Sequence, residues 1–477
     1  MTAPTNKEIL TAVSAIQAEA ISFLHQIVSI DSTLDKGEGL VQSTIHSQLQ
    51  DLLCDDGQYT LQRIPVKHDE IQNKPGFSPV DWTYDESKFN IICSRTSASE
   101  KNGLILQGHV DVVPASTDKW TSPPFTPRIE NGRMYGRGTG DMKAGVVAMI
   151  YAVVALKRLG YVPSGNLSIC TVIEEECTGN GALACLPFLL PQKNKVAVII
   201  PEPFPFITTA QLGVLWFTTR VSGKPCHVLQ TSAGSNAIEG AFALFSALKP
   251  LEERYNNLEF RNGISGAAAY RGMDHPVNFN LGRIEGGNWA SSVPSHCSFE
   301  TRVGFFPGID LDKVKRDVES ILYEAAEKIG MEIQISYRGF HAQGAVLLPE
   351  YVDGAPEKKD EAGKASLQRE FVELLQMSHS VASGNNTAAS VHNEVAGSSN
   401  NDRKNALKLL PITCTTDARF YSSIHHNSED VVVTCYGPEA TNIHGIDESV
   451  SLESMRTVTA AVALFIRDWC GVEKNKD

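Results

Sequence analysis

The sequence predicts an α/β fold, with a central, mostly parallel sheet in a larger domain and a smaller α+β unit inserted into it. Three observations carry this. Strand-like runs alternate with helical ones: NIICSR at 90–95, GLILQGHVDVV at 103–113, NLSICTVIEEE at 166–176 and KVAVIIPEP at 195–203. The last three each end at a His or a carboxylate, and α/β sheets bind ligands at the carboxyl ends of their strands. Between about Gly213 and Tyr337 the order changes to strand, helix, strand, strand, helix, strand.

The elements follow in order. Residues 7–30 place Ile9, Leu10, Val13, Ile16, Ile21, Leu24, Ile27 and Val28 at helical spacing, which predicts an amphipathic opening helix. AGVVAMIYAVVALKRLG at 144–160 reads as a nearly all-apolar helix ended by Gly160. In the middle unit, VLWFTTRVSG is a strand and AIEGAFALFSALKPLEERY a helix. VNFNLGRIEGG and SHCSFETRVGFF alternate as strands, DLDKVKRDVESILYEAAEKIG is a helix, and EIQISYR closes the unit. SLQREFVELLQMSHSVAS is helical again, and residues 385–406 are polar, small and aperiodic, as in a flexible surface insertion. The division is therefore 1–212, 213–337 and 338–477, with the first and last parts forming one domain.

A chain of 477 residues exceeds one ordinary core, and 42% apolar with 20% charged residues is globular composition. A net charge of -13 argues against nucleic acid or an anionic membrane as main partner. No apolar run is expected to reach the length of a membrane span. The start, MTAPTNKEIL, lacks the basic and apolar regions of a secretory signal. Ten scattered cysteines without a C-x-x-C pair read as reduced thiols, so a cytoplasmic location is expected.

Residues two apart on a strand share a face, so His109 and Asp111 can act together, the carboxylate orienting metal ligands. A surface histidine at a strand end is the plainer alternative. GRGTGDMKAG at 136–145 sets Asp141 in a Gly-rich turn, where it could also cap the next helix. Glu174, Glu175 and Glu176 crowd the end of an apolar strand, which is costly unless a cation or solvent lies among them. Glu202 stands between two prolines, and His444 lies in GPEATNIHGIDESV before the closing helix. Together these supply two imidazoles and several carboxylates to strand ends of one sheet. Such mixed ligands suit Zn, and a shared carboxylate suits two ions.

The ordered set GHVDVVP, GRGTGDMKAG, EEECTGNGA, PEP and NIHGIDE resembles the M20 family of di-zinc amidohydrolases, which includes acetylornithine deacetylase, succinyl-diaminopimelate desuccinylase, aminoacylases and glutamate carboxypeptidase. The resemblance extends over nearly the whole chain. It implies a di-zinc-peptidase-like catalytic domain with an inserted lid or dimerisation domain. It implies two Zn, for which Co or Mn could substitute. His109, Asp141 and Glu202 would hold one ion, and Asp141, Glu176 and His444 the other, with a cis peptide after Asp141. Asp111 would stand behind the ligands, and Glu175 would be the general base toward a metal-bridging water. Glu174 takes a position usually held by Asp, without an assigned role.

In the lid, His227 of the GK-x-x-H-like segment would stabilise the oxyanion in the partner subunit of a homodimer. Arg302 would bind substrate, although Ser291 and Ser292 stand where many relatives have Asn. Asp417 and Arg419, in CTTDARFY, are further substrate-facing candidates, with a structural ion pair as the other reading. The expected reaction is hydrolysis of a small N-acyl amino acid or similar compound, as in acetylornithine deacetylase-like deacylases and formylpyrimidine-type deformylases. The alternatives are a dipeptidase or carboxypeptidase, amide formation by the same site, and a non-catalytic binding module.

Overall fold

The computed structural model describes residues 3–116, 119–189, 195–352, 366–384, 407–422 and 430–475. The expected insertion at 385–406 lies outside them. The opening helix Asn6–Val28 starts at a capping box, in which Thr5 Oγ accepts from the Glu8 N–H and the Glu8 carboxylate accepts from the Thr5 N–H. Its buried stripe, Ile9, Val13, Ile16, Ala20, Phe23, Leu24 and Ile27, packs against the helix Ala144–Arg158. A helix the sequence reading did not single out, Gly39–Leu53, follows it.

Six strands form the central sheet in the order Thr60–Pro65, Phe89–Arg95, Leu167–Val172, Gly103–His109, Val196–Ile200, Val431–Cys435. Only Phe89–Arg95 runs against the others, so the sheet is mixed and predominantly parallel. Gly103–His109 is buried at every residue, the burial of a strand covered on both faces. Leu452–Trp469 and Ala144–Arg158 contact each other and this strand.

One helix overturns the expectation that no apolar run reaches the length of a membrane span. Thr139–Arg158 is long and apolar enough to cross a membrane by composition. Every residue from Ala144 to Leu156 is buried inside the fold, so this is a core helix.

The inserted unit is an antiparallel sheet in the order Phe279–Gly286, His296–Phe305, Gly213–Ser222, Glu332–Ser336. Helices Ala237–Ala247 and Leu311–Ile329 pack on it, burying Phe217, Val221, Leu244, Phe299, Val318 and Leu322 in a core of their own. The period of two puts Trp216, Thr218, Glu300 and Arg302 on the other face. The single helix expected at 237–255 is divided at Leu248 into Ala237–Ala247 and Lys249–Asn256. Pro250 stands in the first turn of the second piece, where its missing N–H costs nothing.

Candidate metal centre and active site

The strand Gly103–His109 ends with His109 itself, and Asp111 lies just beyond it. His109 Nδ1 is 3.0 Å from the Asp111 carbonyl oxygen, which leaves Nε2 facing the site. The Asp111 carboxylate stands beside this imidazole, its Oδ1 3.5 Å from His109 Nδ1. It accepts the main-chain N–H of Glu175 at 3.1 Å and of Glu176 at 2.9 Å. It thereby fixes the turn that presents both glutamates.

Asp141 sits in the Gly-rich turn before Ala144–Arg158, and the Asp141–Met142 peptide is cis. Glu448 Oε1 accepts the N–H groups of Gly140 and Asp141 at 2.9 and 3.1 Å. Glu448 Oε2 pairs with Arg137 Nη1 at 2.5 Å, and Arg137 Nη2 donates to the His444 carbonyl at 3.2 Å. His444 is held at φ +62°, a conformation that is rare outside glycine. Gly145 brings this turn against the Glu202 loop: a Cβ there would lie 1.9 Å from the Pro201 carbonyl oxygen.

These elements gather five side chains around Asp141. Its Oδ1 is 3.1 Å from His109 Nε2 and its Oδ2 is 3.3 Å from His444 Nε2, so each oxygen faces one imidazole. Glu176 lies 3.1 Å from His444 Nε2. Glu175 and Glu202 each lie 3.9 Å from His109 Nε2. The ligand atoms of His109, Asp141 and Glu176 are mutually within 4.8 Å, as are those of His109, Glu175 and Glu202.

The electrostatics fit a cationic guest. Burial raises the Glu175 and Glu202 carboxyls well above their usual range, and neighbouring carboxylates add to this against the pull of His109. Burial works to lower His444, but Glu176 and Asp141 outweigh it and push it up to about 11. Glu175 Oε1 is buried without a hydrogen-bond partner. Two imidazoles and four carboxylates so gathered are a donor set that could hold metal.

The remaining expected residues are placed differently from one another. Arg302 donates to the main-chain carbonyls of Asn278 and Thr413, at 3.4 and 3.2 Å. It borders a cleft of about 330 Å³ between the lid sheet and the larger domain, whose walls include Leu34, Trp82, Cys177, Trp216 and Arg338. Asp417 and Arg419 are buried, each 1% exposed. Arg419 donates to the carbonyls of Thr416 and Thr178 and lies over the Phe420 ring. Asp417 accepts from Gln107, and burial raises its carboxyl to about 7. Arg419 Nη1 lies 3.9 Å from Asp417 Oδ1. His227 is exposed on the lid, its Nδ1 accepting from the Leu229 N–H.

The sequence reading missed Glu448 and Arg137, although Glu448 lies within the motif that supplied His444. It also left Glu174 without a role. That carboxylate is fully buried and accepts from Trp82 Nε1 and Tyr84 OH, both at 3.0 Å.

A model of peptidase family M20/M25/M40 matches residues 105–468. A probable succinyl-diaminopimelate desuccinylase of Staphylococcus aureus (strain MSSA476) is 27% identical over 273 residues, 53% of this chain and 65% of that protein. The chain thus spans just under two thirds of that relative's length. The N-formyl-4-amino-5-aminomethyl-2-methylpyrimidine deformylase of Bacillus subtilis (strain 168) is 23% identical over 424 residues, 85% of this chain and 88% of that protein. Among solved structures, human carnosine dipeptidase 1 superposes with a TM-score of 0.68 at 16% identity, covering 98% of this chain and 100% of that one. At that identity the likeness is one of fold.

Proposed function

The chain belongs to peptidase family M20/M25/M40, and from that premise we propose that it hydrolyses the amide bond of an N-acyl amino acid or a related small N-acyl compound. The observation that carries this is Asp141, whose two oxygens face two imidazoles at 3.1 and 3.3 Å with Glu175 beside one of them. His109, Asp141 and Glu202 would hold one Zn, and Asp141, Glu176 and His444 a second, with Co or Mn as substitutes. When bound, the ions supply Lewis acidity and an acidified water. Glu175 takes the proton from the attacking water and returns it to the departing amine. Its buried carboxyl, raised by its surroundings, suits both steps. Asp111 keeps Glu175 and Glu176 apart in role by fixing the main chain of both.

Arg302 anchors a substrate carboxylate in the cleft. Its guanidinium meets only main-chain carbonyls, and among the described residues no carboxylate pairs with it. His227 acts across a homodimer formed through the lid, where Leu229 is 85% and Trp289 73% exposed. All ten cysteines are free thiols, in keeping with a cytoplasmic location.

The test is a panel of N-acetyl, N-succinyl and N-formyl amino acids set against dipeptides, with Zn or Co supplied. Turnover of acyl amides above dipeptides supports the reading. Preferential dipeptide cleavage replaces it with a dipeptidase, and no turnover of either class removes it.

A further inference from the structure

Glu174 precedes the general base and is held at φ +62°, strain that surrounding structure must impose. Its Oε1 takes Trp82 Nε1 at 3.0 Å and lies 3.3 Å from Lys88 Nζ, while Oε2 takes Tyr84 OH at 3.0 Å. Three donors thus come from one stretch, residues 78–88. The same stretch grips the rest of the turn: Asn180 is bonded to the Ser78 N–H and to its carbonyl, at 3.1 and 2.9 Å.

That stretch also carries the chain's return from the lid. The Gly339 N–H donates to the Pro79 carbonyl at 2.9 Å. Arg338, on the cleft wall, lies 3.2 Å from Asp81 and 5.5 Å from the Trp82 ring centre. Ser78 Oγ touches both sides at once, accepting from the His341 N–H at 3.1 Å and donating to the Thr178 carbonyl at 2.9 Å. One hydroxyl therefore joins the lid crossing to the turn that carries Glu175.

We propose that Glu174 is a positioning residue for Glu175, and that residues 78–88, through Ser78, Trp82 and Tyr84, tie that position to the lid. The inference rests on Glu175 as the general base. A movement of the lid crossing is passed to the turn at Glu174 through buried and partly buried hydrogen bonds of 2.9–3.1 Å, to the Glu174 carboxylate and the Thr178 carbonyl. Misplacing a catalytic group by about 1 Å can cost ~100-fold in rate, so this strap sets turnover through the position of Glu175.

The experiment uses the full-length, Zn-loaded protein and Ser78→Ala, Ser78→Thr and Trp82→Phe, the last in case Ser78→Ala fails to fold. Amide hydrogen exchange is followed at residues 174–180 and 338–341. The expected result is several-fold faster exchange at both stretches in Ser78→Ala, and at 174–180 in Trp82→Phe, with metal content unchanged. On the acyl amide the parent turns over best, kcat of Ser78→Ala falls about 10-fold or more while its KM stays within about twofold, and Ser78→Thr restores most of the turnover and of the slow exchange. Unchanged exchange at 174–180, or a rate loss that follows lost metal, overturns the proposal. A parent inactive on the whole panel removes the hydrolase reading, and the exchange measurement still decides the coupling.

Discussion

Glu448 holds Asp141 in place through the main chain, with one carboxylate oxygen accepting the N–H groups of Gly140 and Asp141 at 2.9 and 3.1 Å. Its other oxygen is neutralised by Arg137, which also reaches the His444 carbonyl. One buried ion pair therefore sets two residues of the metal centre. Glu448→Gln keeps the shape but weakens both ends. Metal affinity should fall about 10–100-fold, read by competition with a calibrated chelator. Glu448→Ala leaves Arg137 buried and uncompensated, at a cost of about 3–5 kcal/mol in unfolding free energy. Parent-like metal affinity in both variants contradicts this role.

Glu175 lies 3.9 Å from His109 Nε2, and one of its oxygens is buried without a partner. Glu175→Gln preserves volume and removes the base. Turnover should fall at least about 10²–10⁴-fold with metal content and fold unchanged. Full activity in this variant removes Glu175 from proton transfer.

Glu38 gives the fold a pH dependence. Burial raises its carboxyl from the usual 4.5 to about 7, against the pull of Lys88 at 2.8 Å. A carboxyl with a raised folded pKa favours the fold while protonated. Its contribution is complete below the unfolded value and is lost as pH rises through about 7. Glu38→Gln removes this dependence, so its stability relative to the parent should rise between pH 5 and pH 8 by about 1–3 kcal/mol. Denaturant midpoints at the two pH values measure it, and an equal difference at both contradicts it.

His227 is exposed on the lid, beside the exposed Leu229. If it serves the partner's site, His227→Ala and Glu175→Gln are each impaired alone but complement each other when mixed. A mixed dimer restores one complete site, so about a quarter of parental activity is expected after exchange of subunits at random, the share set by the two-fold geometry. Absence of any recovery, with mixed dimers shown to form, places His227 in its own subunit or outside the reaction.

Much of this was legible in short stretches. His109, Asp141, Glu176, Glu202 and His444 stand at strand ends or turns, each a weak signal by itself, and the ordered motifs of the M20 resemblance singled them out together. What the stretches could not reveal are bonds between distant segments. Glu448 meets Gly140 across 308 positions, and Trp82 meets Glu174 across 92. The direction of a side chain is equally hidden. Asp417 and Arg419 have the chemistry of a substrate clamp, but packing under Phe340 and Phe420 turns Arg419 inward. Asp111 shows the same limit in part: beside His109 it also binds two main-chain N–H groups, which carry no residue identity.

The central claim is that Asp141 is shared between two ions. Elemental analysis of protein purified without chelator or affinity metal tests it most directly, beside Asp141→Asn. Two ions per chain are predicted for the parent, as a two-ion site requires, with loss of both in Asp141→Asn because each oxygen faces a different imidazole. A folded parent that takes up no ion when Zn or Co is supplied, or an Asp141→Asn variant that retains two, contradicts the account.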